Sequence, residues 1–354
     1  THAVSGCSVC SPARASLLTG QYPLTHGIFV NDVCLQNSAT SLAQAFKAAG
    51  YDTAYIGKWH IDGHGRSNYI PPDRRRGFEY WKVLECTHNY NQSYYYAGDS
   101  DEKLEWETYD AQAQTTDAQQ FIRDHRGDNP FLMVLSWGPP HAPYETAPEK
   151  YRAKYRPEDI QLRANVPPEK AADAAEWIAG YYAHCTALDD CMADLLQTLE
   201  DQGIAKNTIV LFFSDHGDML GSQGLDKKQK PWEESIRVPF LLRYPDLLGT
   251  ESRQIDARID IPDIMPTLLG LCQLEIPNSV EGLDFSAYLC GGEDPSDGAA
   301  LLSCPHPFGQ WHRQVGGREY RGLRTKRYTY ARSLQGPWLL YDNEADPYQM
   351  ENLV

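Results

Sequence analysis

Cys10 stands two residues before Pro12 and four before Arg14, and the chain then runs through Ala15-Ser16-Leu17-Leu18-Thr19-Gly20. Proline suits the first turn of a helix, where no backbone N–H is required of it. The spacing therefore puts the Cys10 thiol at or just before a helix N-terminus, where the dipole favours negative charge and anions bind. Arg14, one turn on, can fold its guanidinium back toward the same place. A nucleophile, a fixed cation and a helix start make an anion-handling site; the competing reading of Cys10 is a buried, inert thiol.

Four more groups have chemistry-bearing residues at telling positions. Lys58 and His60 in Gly57-Lys58-Trp59-His60 follow a short strand pattern over Tyr51 to Ile56. His141 follows the apolar run Phe131-Leu132-Met133-Val134-Leu135 and two prolines; imidazole titrates near neutrality and suits proton transfer. Asp215 and His216, in Ser214-Asp215-His216-Gly217-Asp218, follow the apolar run Thr208 to Phe213. A carboxylate and an imidazole there suit a divalent cation, and an oxygen-rich site favours calcium or magnesium. Lys227, Lys228 and Lys230 precede Pro231-Trp232-Glu233-Glu234. A solvated basic turn would account for at least two of these three lysines.

The elements that must position these groups alternate between helix and strand. Ser41 to Ala49 reads as a helix stopped by Gly50, and Thr116 to His125 as another. Ala171 to Gln202 has a long helical pattern with a break expected near Gly180, and Ile264 to Leu271 is helical. Val238 to Leu242 completes the strand set. Such alternation predicts an α/β fold with a largely parallel central sheet and helices on both faces. Lys58, His60, His141, Asp215 and His216 all follow strand C-termini, the edge where open α/β sheets bind ligands. Beyond an acidic, glycine-rich linker at Gly291 to Gly298, short strand patterns at Leu301 to Cys304, Tyr320 to Leu323, Arg327 to Ala331 and Trp338 to Tyr341 predict a small antiparallel sheet. The expected division is a catalytic domain over 1–290 and a C-terminal subdomain over 298–354.

Composition sets outer limits. The chain has 354 residues, 42% hydrophobic and 23% charged, with a net charge of -16. That charge argues against a nucleic-acid surface, although a local cluster of Lys, Arg and metal can still hold a small anion. No apolar run approaches the roughly 20 residues of a bilayer span. The nine cysteines are scattered, and Cys7-x-x-Cys10 lacks the second ligand pair a zinc site wants. His88 and His312 are further candidates for a substrate pocket. Among the aromatic residues, Tyr90 to Tyr96, Trp81 and Trp106 could stack on sugars, but packing is their more ordinary use.

Taken together, the motifs resemble those of the type I, formylglycine-dependent sulfatases of the alkaline phosphatase superfamily. The resemblance rests on Cys10-x-Pro12-x-Arg14 with Leu18-Thr19-Gly20, and on Gly57-Lys58-x-His60. It rests also on Pro140-His141-x-Pro143, Ser214-Asp215-His216-Gly217-Asp218 and the lysines before Trp232-Glu233. Tyr341-Asp342 with Asp346-Pro347 is similar to a segment near the end of many members. Ala13 stands where the commonest motif has Ser.

This resemblance implies a sulfuric ester hydrolase that releases inorganic sulfate, with Cys10 oxidised to formylglycine by a formylglycine-generating or equivalent maturation enzyme. It implies Arg14, Lys58, His60, His141 and Lys228 as catalytic residues, Lys227 and Lys230 being rivals for the last. Cys10, Asp215 and His216 become ligands of calcium, with magnesium as the alternative. The substrate expected is a sulfate ester, preferably of a carbohydrate. Two other readings stay open: a phosphonate monoester or phosphodiester hydrolase of the same superfamily, and a non-catalytic sulfatase-like protein that binds sulfated glycans. The family's first metal motif, an Asp-Asp pair after its first strand, has no counterpart before Cys10, and Asp32 and Asp52 stand in the wrong context to replace it. An N-terminally incomplete chain that binds metal poorly and is inactive or unstable is therefore expected. Compartment is open, with periplasmic or secreted location expected if a signal peptide precedes Thr1.

Overall fold

The computed structural model describes residues 2–125 and 127–354, which form two compact units. Among the described residues, one comprises 2–42, 163–167 and 209–354; the other comprises 43–125, 127–162 and 168–208.

The first unit is built around the helix Cys10–Thr19, which Gly20 ends in the left-handed region with φ 65° while its N–H bonds to Ser16 O. Cys10 is the first helical residue, so Pro12 falls in the first turn. Ala13 and Leu17 pack with Ile261, Ile264 and Leu268 of the helix Ile261–Leu271 and with Leu211, Phe213 and Phe240. Those last three lie on two antiparallel strands, named β6 (Val210–Phe213) and β7 (Phe240–Arg243) in chain order. Burying Ile261 and Ile264 contributes about 1.5–3 kcal/mol each and the partly buried side chains around them less, and this packing sets the end of β6 beside the Cys10 helix. The helix Ile261–Leu271 begins three residues earlier than its apolar pattern suggests. A reciprocal cap between Asp260 and Asp263 starts it, with Pro262 in the first turn. The same unit carries the antiparallel sheet β8 (Ala299–Cys304), β9 (Tyr320–Thr325), β10 (Tyr328–Ser333) and β11 (Gly336–Asp342), in the order β11-β10-β9-β8.

The second unit holds a five-stranded sheet of β1 (Asp52–Lys58), β2 (Tyr80–Leu84), β3 (Tyr94–Ala97), β4 (Lys103–Glu105) and β5 (Phe131–Ser136), ordered β4-β3-β2-β1-β5. β1 runs parallel to both β2 and β5, whereas β3 and β4 add antiparallel pairings, so the sheet is mixed. The parallel pairings bring the ends of β1 and β5 to one edge, and with them the segments that carry Lys58 and His141. β5 reads as a fully buried strand by its apolar sequence, yet it is half-buried along its length. It is the outer strand here, pairing among the described residues with β1 alone.

Helix Ala171–Asp201 is continuous through Gly180. The glycine there does not break the helix; a Cβ would come within 2.5 Å of Tyr144 O, so the position is a close approach of backbone to helix. Among the described residues no helix is long and apolar enough to cross a membrane.

Candidate active site

In the first unit the candidates converge. Cys10 is 1% exposed, and its Sγ lies 3.2 Å from His216 Nε2. Asp215 Oδ1 lies 3.7 Å from the same nitrogen, while Asp215 Oδ2 accepts from Arg14 Nε at 3.1 Å. Two backbone anchors fix the Asp215-His216 segment: Ser5 Oγ donates to Asp215 O at 2.6 Å, and Gly217 N–H donates to Ser235 O at 2.9 Å. His216 Nδ1 sits 2.8 Å from Gly217 O. An N–H there leaves the Nε2 lone pair facing Cys10 and Asp215, which is the tautomer metal ligation requires. Burial opposes charge on His216, but Asp215 and the Cys10 thiol outweigh it and hold the imidazole above its ordinary range.

A sulfur, an imidazole nitrogen and a carboxylate oxygen within 3.7 Å of that nitrogen fit one side of a divalent cation's shell. They supply one carboxylate, fewer oxygens than calcium ordinarily gathers.

The lysine loop separates its three candidates. Lys230 is 1% exposed, its Nζ donates to Asp226 O at 2.6 Å and Lys228 O at 3.0 Å, and it lies over the Trp311 ring. Burial pulls its pKa down to about 8, against the pull of Asp226 and Asp218. Lys228, also buried, is close enough to His216 for its charge to act on that imidazole. Asp218 ties the loop shut, its Oδ1 accepting from the Leu220 and Lys227 N–H groups at 3.2 and 3.0 Å. Glu233 accepts both Nε and Nη2 of Arg324 on β9, at 3.0 and 2.9 Å.

The second unit gathers a second set. Lys58 ends β1 and pairs in register with Leu84, the end of β2. Trp59, 1% exposed, packs edge-on against Tyr55, Phe78 and Trp81, and so pins the chain between Lys58 and His60. Gly57 is required by its φ of 102° and by Ser136 O, which a Cβ would approach to 2.2 Å. His60 is buried with φ 62°. His141 is half-buried, and its Nδ1 lies 2.8 Å from Ala142 O.

Sequence reading gave Cys86 no role and left His88 undecided, because Glu85-Cys86-Thr87-His88 follows no recognisable pattern. The β1–β2 register places Cys86 two residues beyond the partner of Lys58. Burial alone would raise the Cys86 thiol; the Lys58 charge and hydrogen bonds with His60 and His88 reverse that and bring it down to about 5. His88 stacks on His141 with ring centroids 4.7 Å apart. Of the aromatic candidates, Trp81, Tyr90, Tyr96 and Trp106 are buried, and Tyr95 stacks on Trp106 at 3.9 Å, so packing is their use.

Residues 1–274 match the sulfatase family model, and residues 221–354 match that of the N-sulphoglucosamine sulphohydrolase C-terminal region. The chain is 46% identical over 357 residues to an ulvan-active sulfatase of Formosa agariphila, covering 100% of this chain and 69% of the relative. An endo-4-O-sulfatase of Bacteroides thetaiotaomicron is 30% identical over 403 residues, covering 100% and 78%. A solved structure from work on glycosaminoglycan metabolism by B. thetaiotaomicron superposes with a TM-score of 0.91 at 29% identity, covering 100% of this chain and 82% of that one.

Proposed function

Because the chain belongs to the sulfatase family, we propose that it removes sulfate from a sulfated polysaccharide, with Cys10, matured to formylglycine, as the nucleophile. The observation that carries this reading is the cluster of Cys10, His216, Asp215 and Arg14 at one helix N-terminus. The polysaccharide is proposed from the two relatives above, one ulvan-active and one an endo-4-O-sulfatase.

Formylglycine made from Cys10 would supply, as its hydrate, one oxygen to displace the ester alcohol from sulfur and a second whose deprotonation re-forms the aldehyde and releases sulfate. Asp215, His216 and the Cys10 position would hold a divalent cation, calcium in this reading, which would supply positive charge against the sulfate oxygens. Around them the chain's own residues divide the work. Arg14, fixed by Asp215, holds its guanidinium at the nucleophile and opposes the charge that builds on the equatorial oxygens. Lys228 adds a buried cation on the same side. The family resemblance gives Lys58 the sulfate oxygens and His60 a hydrogen bond to the nucleophile. As the imidazolium, with Nδ1–H donating to Ala142 O, His141 gives its Nε2 proton to the departing alcohol and is left neutral. Lys230, committed to carbonyls and the Trp311 face, shapes the loop.

Peptide mass spectrometry across Cys10, after co-production with a formylglycine-generating enzyme, tests the nucleophile. The aldehyde form is expected. Unmodified thiol, with a control sulfatase converted in the same cells, would refute it.

A further inference from the structure

The loop that carries Lys228 is held in a conformation its residues would not choose alone. Lys227 and Gln229, on either side of Lys228, both have left-handed backbones, with φ 56° and 75°. Neither is glycine, so the surroundings must over-determine the loop. The ties that do so lie within the unit that carries Cys10. Lys227 N–H is held by Asp218 Oδ1 at 3.0 Å. Gln229, 3% exposed, brackets the Phe308 backbone, its Nε2 donating to Phe308 O at 3.0 Å and its Oε1 accepting from the Phe308 N–H at 3.2 Å. The Gln229 N–H in turn donates to Ser8 O at 3.1 Å, two residues before Cys10. A further tie runs through Ser235, fully buried in the short helix Glu233–Ile236. Its Oγ accepts from the Lys230 N–H at 3.2 Å and lies 3.0 Å from Ser8 Oγ. With the Lys230 N–H as donor, the Ser235 hydroxyl hydrogen is left for Ser8. The backbone of the same turn takes the other segments: Ser235 O accepts from the Gly217 N–H at 2.9 Å, and Ile236 O from the Ser5 N–H at 2.7 Å. One turn of chain thus touches the lead-in to Cys10, the Asp215-His216-Gly217 segment and the lysine loop.

We propose that Ser235 is a positioning residue, its hydroxyl setting the lysine loop against the start of the Cys10 helix so that Lys228 and the nucleophile meet the same sulfate. The inference rests on the reading of Cys10 as the nucleophile and Lys228 as a cation on the sulfate. These two residues come from segments far apart in sequence, so neither segment alone sets their spacing. Ser8 stands two residues before Cys10 and Lys230 two after Lys228, and the bridge through Ser235 Oγ joins them. Side chain and backbone of Ser235 have separable tasks. Its carbonyl anchors Gly217 whatever the side chain is; the hydroxyl alone reaches Ser8 and the Lys230 N–H. Removing the hydroxyl takes the acceptor from a buried N–H and lets a loop held in left-handed conformations relax away from Cys10. Stabilisation of developing charge depends on such placement, and small displacements are costly.

The test uses the full-length, matured enzyme, para-nitrophenyl sulfate as the probe and a double-mutant cycle. Ser235→Ala should lose roughly tenfold in kcat/KM. Lys228→Ala should lose about 10²-fold or more. In the Lys228→Ala background, Ser235→Ala should cost less than about twofold further, because a lysine that is absent cannot be misplaced. A merely structural role would lower both backgrounds by the same factor. Ser8→Ala, run through the same cycle, should lose about threefold alone and little beside Lys228→Ala; it decides the matter if Ser235→Ala does not fold. Lys228→Ala with wild-type turnover would overturn the lysine reading and this inference with it. An impaired Lys228→Ala whose loss multiplies with that of the serine variant, or a serine variant that matches wild type, would overturn this inference only.

Discussion

Replacing Arg324 by methionine should destabilise the unit that carries Cys10 by about 3–5 kcal/mol, the cost of breaking a buried ion pair from one side. Arg324 is 2% exposed and Glu233 8% exposed. The guanidinium meets both carboxylate oxygens, at 3.0 and 2.9 Å, and its third nitrogen donates to Lys326 O at 3.0 Å. Without it, Glu233 keeps Thr329 Oγ1 at 3.4 Å as its side-chain partner, too little to hold a buried negative charge. Two charge-assisted bonds and the desolvation of the abandoned carboxylate put the loss in the upper part of the mutational range. Urea unfolding followed by tryptophan fluorescence suits the measurement, since Trp232, Trp311 and Trp338 pack around this region. With a slope of about 3 kcal/mol per molar, the midpoint should fall by roughly 1 M or more. The double variant Glu233→Gln with Arg324→Met should recover much of the loss, because no charge is then stranded. A shift below about 0.3 M, or a double variant no better than the single one, would refute the argument.

Further outcomes follow from the same geometry. Lys228→Ala should cost about 10²-fold or more in kcat/KM, whereas Lys227→Ala should stay within about threefold; equal losses would show that the loop has no dedicated lysine. In Asp110, which is 1% exposed, burial pushes the carboxyl up to about 8 despite bonds from Ser93 and the Ala111 N–H. The neutral acid is thus the folded form's preference, and its contribution is full below the ordinary carboxylate range and lost as pH rises through about 8. Asp110→Asn should therefore gain on wild type between about pH 5 and about pH 9, by on the order of 1–3 kcal/mol in urea midpoints; a gain that shrinks with rising pH would contradict the assignment. Gly217→Ala would put a Cβ 2.1 Å from Glu234 O and push the Asp215-His216 segment out of place. Its thermal stabilisation by added calcium should weaken by about tenfold in midpoint concentration, and an unchanged midpoint would mean that this segment does not hold the cation.

The sequence made β5, β6 and β7 legible as apolar runs, and β1 through Ala54-Tyr55-Ile56 between Gly50 and Gly57. β2 was not legible. Its Tyr80-Trp81-Lys82-Val83-Leu84 mixes a charge into an aromatic run, and only the fold shows that Lys82 and Tyr80 both settle on Asp117. β3 and β4 are short antiparallel additions whose side chains alternate without a strong apolar face. Gly180 was misread as a helix break because a lone glycine carries two meanings, and the approach of Tyr144 lies far away in sequence. Within the site, Cys10, Lys58, His141 and Asp215 stood out by motif and by following strand ends. Cys86 and His88 did not, since what singles them out is the register of β1 against β2 and a stack between two loops. Asp218 matched the motif without a role, which the structure supplies in closing the lysine loop.

Cys10 is the residue on which the proposed catalysis depends most. Inorganic sulfate released from a sulfated polysaccharide should be measured for the matured full-length enzyme and for Cys10→Ala. Many turnovers by the enzyme and a loss of about 10³-fold or more in the variant are predicted. Comparable multiple turnover by Cys10→Ala would contradict the account.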